Sequence, residues 1–132
     1  MAELSKLVVL YGWQNRLERL PSGIGRLSAL EDFNISNNRL TVLPDDLSGL
    51  TGLMWINLWD NRLTALPDSI ATLPKLQTLR ADENALTAIP ERIGDLAALE
   101  WLDVSHNRLT ALPESVGAVS YTHLTLPTTY TV

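Results

Sequence analysis

Five asparagines recur at intervals of 23 residues, and the apolar residues around each of them recur with the same spacing. The five are Asn15, Asn38, Asn61, Asn84 and Asn107. A strict internal period means that every copy adopts the same local structure, so the chain must fold as a stack of similar units. The unit reads LxxLxLxxNxLxxLPxxIxxLxx, and its copies begin at Leu7, Leu30, Leu53, Leu76 and Leu99.

The segment before each asparagine alternates apolar and polar residues, which is the pattern of a strand buried on one face. Residues at the fourth and sixth positions, such as Phe33 and Ile35, are therefore predicted to point into the core. The asparagine follows where the chain turns inward. Its short amide can satisfy backbone N–H and C=O groups that a buried turn would leave unpaired. The sequence thus predicts a structural ladder of the five asparagines.

After the proline of each unit, apolar residues are spaced three apart, as in Ile24, Leu27 and Leu30. A period of three favours a 3₁₀-like or extended segment over a full α-helix. One unit cannot bury its own apolar face, so neighbouring units must stack. We predict an α/β solenoid shaped as a horseshoe arc, with a concave parallel β-sheet and short 3₁₀ or extended convex segments.

The repeat resembles the leucine-rich repeat family, specifically its 23-residue LPxxIxxL class, from Leu7 to about Ala118. This resemblance implies a non-enzymatic module that recognises a protein or peptide partner on its concave face. Proteins similar to it often carry such arrays beside another domain. The alternative is therefore the targeting region of a larger regulatory enzyme or effector (kinase-like, GTPase or ligase), with its catalytic domain missing from this sequence. A purely structural array without a dedicated ligand is a third possibility.

The third, fifth, seventh and eighth positions of the unit are predicted to face outward on the concave side. All four tryptophans lie at these positions, although the core does not require them there. Exposed tryptophan is typical of binding hot spots, whereas the alternative is cross-strand pairing. Trp55 and Trp101 are two strands apart, about 10 Å, with Thr78 between them, which favours a ligand surface. The predicted ligand-binding residues are Tyr11, Trp13, Trp55, Trp59, Arg80, Asp82, Trp101 and Asp103.

The charged outward residues give a weaker signal. Four carboxylates surround Arg80 and could select a basic partner segment, although solvated charges are the simpler interpretation. They are Asp60, Asp82, Glu83 and Asp103. Arginines also follow four of the five ladder asparagines and are predicted to form a solvated edge. They are Arg16, Arg39, Arg62 and Arg108.

Other kinds of site have little support in the sequence. Asp103, Ser105 and His106 include the residue types of a catalytic triad, but two of them are neighbours on one strand, so no catalytic residue is predicted. No metal or cofactor is expected, because His106 has no evident co-ligands. The formal net charge of −5 argues against nucleic-acid partners. No apolar run is long enough to span a membrane. The absence of cysteine fits a cytoplasmic location, and the oligomeric state is left open.

Both ends depart from the repeat. Leu4 matches the position of Leu27, and Met1 that of Ile24, so residues 1–6 are predicted to be part of an earlier repeat and Met1 an internal methionine. The alternative is a short natural entry segment that resembles half a repeat by chance. Residues 7–118 form five repeats, which gives an array over residues 1–118. A sixth repeat needs apolar residues at positions 122 and 125, where threonine stands. The segment 119–132, which begins VSYTHLTLPT, resembles a translated sequencing adapter and is predicted to be non-native. A divergent cap strand is the alternative, and no function is assigned to Tyr121, His123 or Tyr130.

Overall fold

In the part of the chain that the structure describes, six parallel strands form one sheet in chain order, as expected for a stack of repeats. The computed structural model describes residues 4–118 and 123–125. Each strand has three residues: β1 Val9–Tyr11, β2 Asp32–Asn34, β3 Trp55–Asn57, β4 Thr78–Arg80, β5 Trp101–Asp103 and β6 His123–Thr125. With the short segments that follow the prolines, this sheet confirms the predicted solenoid with a concave parallel sheet.

The strands pair in a constant register that aligns equivalent repeat positions. Asp32 lies opposite Trp55, Trp55 opposite Thr78, and Thr78 opposite Trp101. Side chains at one repeat position therefore form a column across the sheet, with about 4.8 Å between neighbouring strands. The columns at the fourth and sixth positions are apolar, and most of their members are fully buried, as Phe33 and Leu58 illustrate.

The ladder asparagines join neighbouring repeats through their side-chain amides. In Asn61, Nδ2 donates to the carbonyl oxygen of Leu58 in its own repeat at 3.2 Å and to that of Ile35 in the preceding repeat at 3.2 Å. Its Oδ1 accepts a hydrogen bond from the backbone N–H of Leu40 at 3.0 Å. The same pattern recurs at Asn38, Asn84 and Asn107.

Asn15 makes only part of this pattern. Its Nδ2 donates to the carbonyl oxygens of Gly12 and Trp13, both in its own repeat, at 3.0 and 3.2 Å. Its side chain is exposed, whereas Asn38 and Asn61 are buried. Within residues 4–118, no repeat lies before Asn15 to supply the other carbonyl and N–H groups.

The convex segments take both of the predicted forms. Four repeats contain short 3₁₀ helices, at Ser22–Arg26, Asp68–Thr72, Ile93–Asp95 and Glu114–Ala118. In the second repeat, Asp46 instead accepts a hydrogen bond from the backbone N–H of Ser48 at 3.0 Å. Hydrogen bonds from the Ser48 hydroxyl and amide lower the pKa of Asp46. Such a local bond gives the backbone an alternative to the helical turn, which accounts for the open conformation there.

Neighbouring repeats approach closely on the convex side. A Cβ added to Gly94 would lie 2.1 Å from the carbonyl oxygen of Ser115, so only glycine fits. The Ser115 hydroxyl accepts a hydrogen bond from the Gly94 N–H at 3.1 Å and donates to the Glu91 carbonyl at 2.7 Å. Ser69 bonds in the same way to Leu47 N–H and the Asp45 carbonyl of the repeat before it. The convex side thus carries its own hydrogen bonds between repeats.

The first described residues lie at an edge of the array. Leu4 is 43% exposed, whereas Leu27 at the equivalent position is 2% exposed. The Leu4 carbonyl accepts a hydrogen bond from the Leu7 N–H at 3.0 Å, so the local turn is formed even where the packing is one-sided. Met1, which the repeat pattern places in an earlier repeat, lies outside the described residues.

β6 pairs with β5 in a register that departs from the 23-residue period. That period would place the equivalents of Leu99 and Leu102 at positions 122 and 125, where threonine stands. In the structure Leu124 lies opposite Leu102 and Thr125 opposite Asp103, which is a spacing of 22 residues. Thr122, Tyr121 and Tyr130 lie outside the described residues, and the non-native origin of 119–132 stays a prediction.

Candidate functional site

The concave face consists of the side chains at the third, fifth, seventh and eighth positions of the five repeats. Its aromatic residues are partly exposed: Trp13 is 49%, Trp55 40% and Trp101 41% accessible. Tyr11 is also exposed and Trp59 is half-buried. Aromatic rings on a sheet surface usually pack against neighbouring side chains and so are shielded from water. Several exposed rings on one face are therefore typical of a surface that binds a partner.

Trp55 and Trp101 flank the small residue Thr78 in the column of third positions. The two tryptophans stand on alternate strands, about 10 Å apart at the backbone. Thr78 therefore separates the two tryptophans in this column of the sheet.

In the same column, Asp32 lies opposite Trp55 on the neighbouring strand. Its Oδ2 accepts a hydrogen bond from the Tyr11 hydroxyl at 2.6 Å. This hydrogen bond, with smaller effects of burial and of the Asp32 charge, raises the pKa of Tyr11. Tyr11 therefore remains a neutral donor at physiological pH and holds the Asp32 carboxylate in place.

The seventh position is less outward than the repeat pattern predicts. Ser36, Asp82 and Ser105 are buried. The Ser36 hydroxyl and amide both donate to Oδ1 of Asn34, at 2.7 and 3.1 Å. Ser105 makes the same two bonds to Oδ1 of Asp103, at 2.7 and 3.1 Å. A short polar side chain at the fifth position thus accepts hydrogen bonds from the residue at the seventh position. The alternation of apolar and polar residues in the sequence does not predict these local bonds.

Arg80 and Asp82, two of the predicted ligand-binding residues, bind each other. The guanidinium donates from Nη2 to Oδ2 at 2.9 Å and from Nε to Oδ1 at 3.3 Å. A two-point contact of this kind fixes both groups and cancels their charges locally. The pair therefore contributes a neutral, rigid patch between β3 and β5, not a free cation.

The eighth position supplies accessible charge. Asp60 and Glu83 are exposed, and Glu83 Oε1 lies 3.9 Å from His106 Nε2 with both side chains largely in solvent. With Asp32, Asp82 and Asp103, the concave face has five carboxylates against one guanidinium. Because the carboxylates outnumber the one guanidinium, the face is acidic overall.

The same column contains a backbone feature that the sequence pattern does not reveal. All five of its residues have positive φ, between 53° and 56°: Gln14, Asn37, Asp60, Glu83 and His106. Apart from glycine, this left-handed conformation is enriched only in asparagine, aspartate and histidine. Gln14 and Glu83 are of other types, so residue type alone does not predict the conformation of the whole column. The turn before each ladder asparagine imposes the conformation.

The arginines that follow the ladder asparagines are exposed, as predicted for a solvated edge. They are Arg16, Arg39, Arg62 and Arg108. Their backbones continue the inter-repeat bonding, for example from Arg62 N–H to the Leu40 carbonyl at 2.8 Å. None of the four has a carboxylate partner within ion-pair distance among residues 4–118.

The possible triad residues are not arranged for nucleophilic catalysis. The Ser105 hydroxyl donates to Asp103, and His106 lies against Glu83 instead. A serine nucleophile needs its hydroxyl directed at a base that accepts the proton, and here Asp103 holds it as a structural donor. In the part of the chain that the structure describes, no group of three or more His, Cys, Asp or Glu side chains could hold a metal ion. Nor is any helix there long and apolar enough to cross a membrane.

Comparison with known proteins identifies the type of repeat. The family model for the leucine rich repeat matches residues 5–58 and 51–109. No curated protein matches the sequence.

Two solved structures have a similar fold. A leucine-rich repeat protein of Leptospira interrogans superposes with a TM-score of 0.76 and 29% identity over 98% of this chain. The plant peptide hormone receptor RGFR1, in complex with RGF2, gives a TM-score of 0.65 and 26% identity over 95% of this chain. This chain covers 40% of the first protein and 25% of the second.

Proposed function

Because this chain belongs to the leucine-rich repeat family, whose arrays present extended concave binding surfaces, we propose that it is a non-enzymatic recognition module that binds a protein or peptide on its concave face. The family typically serves as a non-catalytic recognition fold and mediates protein–protein interaction. The similar plant peptide hormone receptor was solved in complex with RGF2, which supports the same class of ligand here.

The exposed tryptophans carry this proposal. Trp13, Trp55 and Trp101 present large rings on one face, while the polar neighbours Asn34, Ser36 and Ser105 are occupied by hydrogen bonds within the sheet. Interaction hot spots typically contain aromatic rings that bury a large apolar area beside polar groups whose hydrogen bonds are already formed. The competing explanation is that the rings only stabilise the sheet by packing across strands.

A peptide library displayed on phage tests the proposal, because selection from a library does not require a named partner. Peptides selected on the wild-type protein should bind Trp55→Ala or Trp59→Ala at least about tenfold more weakly, because truncating a hot spot typically removes more than about 1.4 kcal/mol. The melting temperature of both variants should change by only a few degrees, since neither ring fills the core.

Val42→Ala provides the matched control. Val42 is an exposed apolar side chain that lies after the ladder asparagine, away from the concave face. This variant should retain wild-type affinity for the selected peptides. If the tryptophan variants instead unfold the array while each folded molecule keeps its affinity, cross-strand packing is the role of the rings and the proposal fails.

A further inference from the structure

The column of eighth positions changes in chemistry along the array. Its members in the first two repeats are the amides Gln14 and Asn37, whereas the carboxylates Asp60 and Glu83 follow in the third and fourth. An open cavity of about 630 Å³, which we call the rim cavity, borders the turns of the first two repeats. It is lined by Gln14, Asn15, Arg16 and Asn37. All four side chains carry N–H donors and none is a carboxylate, so the cavity offers hydrogen bonds and a positive charge.

Backbone hydrogen bonds fix the two turns relative to each other. The Gln14 N–H donates to the carbonyl oxygen of Ser36 at 3.1 Å, and the Arg39 N–H donates to that of Leu17 at 2.8 Å. Arg39 holds the repeat position equivalent to Arg16, so the backbones of the two arginines stay roughly 5 Å apart, about one strand spacing. Arg39 thus adds a second guanidinium on the turn next to the first.

Three of the four lining side chains are without partners among the residues that the structure describes. Asn15 donates to carbonyl oxygens of its own turn. The side chains of Gln14, Arg16 and Asn37 form no hydrogen bond or ion pair with a described residue. Arg39 is also exposed and has no carboxylate within ion-pair distance there. These donors are therefore available to a ligand.

The charges around the rim cavity narrow the choice of ligand. Glu18 follows Arg16 by two residues, Asp60 is the next member of the column after Asn37, and both carboxylates are exposed. They would repel a phosphate group, which carries a charge of about −1.5 to −2. A carboxylate carries a single charge, and its two oxygens match the paired N–H groups of a guanidinium.

We infer that the rim cavity binds a carboxylate group of the partner, so that the acidic part of the bound segment lies at the first two repeats. This inference rests on the proposed function and adds the orientation of the partner along the concave face. The exposed ring of Trp13 directly precedes Gln14 and can contact an apolar residue next to that carboxylate. The carboxylates of Asp60 and Glu83 disfavour the reverse placement.

Three short peptides test the inference in nuclear magnetic resonance titrations of the whole chain. One alternates glycine and glutamate, the second alternates glycine and glutamine, and both end in an amide. The third is the glutamine peptide with a free terminal carboxylate. At least one carboxylate-bearing peptide should bind about threefold more tightly than the amidated glutamine peptide and shift the side-chain amide signals of Gln14 and Asn37. Because the chain has a net charge of −5, non-specific electrostatics would give the opposite preference.

The relative affinities also identify the source of the carboxylate. Stronger binding of the glutamate peptide assigns the cavity to an acidic side chain, and stronger binding of the free-terminus peptide assigns it to the end of the partner chain. If neither binds more tightly than the amidated glutamine peptide, or if only signals elsewhere shift, the inference is overturned.

Variants assign the effect to the rim cavity. Arg16→Ala should lower the affinity for the stronger peptide by about three- to tenfold. Asn37→Gly removes the amide and suits the positive φ of 55°, so it should weaken binding while the melting temperature changes by only a few degrees. Arg108→Ala is the matched control, because Arg108 is exposed at the equivalent position of the fifth repeat. Unchanged affinity in Arg16→Ala, or an equal loss in Arg108→Ala, would overturn the inference.

The peptides selected from the phage library separate this inference from the proposed function. Selected peptides that lose affinity in both Trp55→Ala and Arg16→Ala support both. Peptides that depend on Trp55 but bind Arg16→Ala as tightly as the wild type support the proposed function and overturn the inference. Peptides that depend on Arg16 but on neither Trp55 nor Trp59 support the carboxylate site and contradict the role of the tryptophans.

Discussion

At the scale of single residues, the role of a ladder asparagine depends on the repeat before it. Asn61 joins two repeats through carbonyl and N–H groups of Ile35 and Leu40. Asn15 bonds only to Gly12 and Trp13 of its own turn. The same residue type at the same repeat position is therefore buried and bonded to the neighbouring repeat in Asn61, but exposed and bonded only within its own turn in Asn15.

This difference predicts that alanine substitution lowers the free energy of unfolding by different amounts at the two asparagines. Asn61→Ala should lower the free energy of unfolding by about 1–3 kcal/mol, because buried backbone groups of two repeats lose their partners. Asn15→Ala should cost less than about 1 kcal/mol, since its side chain is exposed to water. Urea unfolding followed by circular dichroism measures both values. Equal costs would show that the bonds between repeats contribute no extra stability.

Single residues also show where prediction from the sequence fails. The apolar positions and Asn61 could be placed because each column repeats five times. The Arg80–Asp82 pair and the inward hydroxyl of Ser105 could not, because each depends on the residue two positions away, outside the shared pattern. The positive φ of Glu83 was also missed, since the turn geometry and not the residue type determines it.

At the scale of elements, the convex segments set how closely two repeats can approach. Gly94 touches the Ser115 carbonyl so closely that no side chain fits between them. At Gly12, an added Cβ would meet two side-chain ends, the Cδ1 of Ile35 at 2.8 Å and the Cδ1 of Leu17 at 3.8 Å. A backbone obstacle cannot move without displacing the repeat, whereas the end of an isoleucine side chain can rotate.

Two glycine-to-alanine substitutions test this comparison. Gly94→Ala should destabilise the protein by about 1–3 kcal/mol, because the convex segments of the fourth and fifth repeats must separate. Gly12→Ala should cost less than about 1 kcal/mol, since alanine also restricts the unfolded chain. Thermal unfolding of the two variants gives the comparison. A larger cost at Gly12 would mean that the concave side is the more tightly packed one.

At the scale of the whole molecule, each repeat contacts only its neighbours, so stability is local along the array. The sequence predicted the solenoid from its period. It could not give the register of the last strand, because Leu124 pairs with Leu102 at a spacing of 22 residues instead of 23. A repeat pattern predicts the structure of the repeats themselves better than the structure of the segment where the pattern ends.

Ending the chain at Ala118 tests how far the influence of β6 extends. Backbone amides of β5 should exchange with solvent faster, because they lose their pairing with His123–Thr125. Amides of β2 and β3 should keep their protection, since they have no contact with the removed segment. Hydrogen exchange measured by mass spectrometry resolves the two regions. Loss of protection across all the strands would show that the array unfolds as one unit.

The constant register of the strands bears on how such chains diverge through recombination. A gene rearrangement that removes 23 residues rejoins equivalent positions wherever it occurs, so each asparagine again meets a carbonyl in the preceding unit. Loss of residues 54–76, for example, would delete Trp55 and Trp59 and bring Asp32 beside Thr78. The fold would be conserved while the ligand preference changed. Recombination can therefore alter the binding surface one repeat at a time and leave the core unchanged.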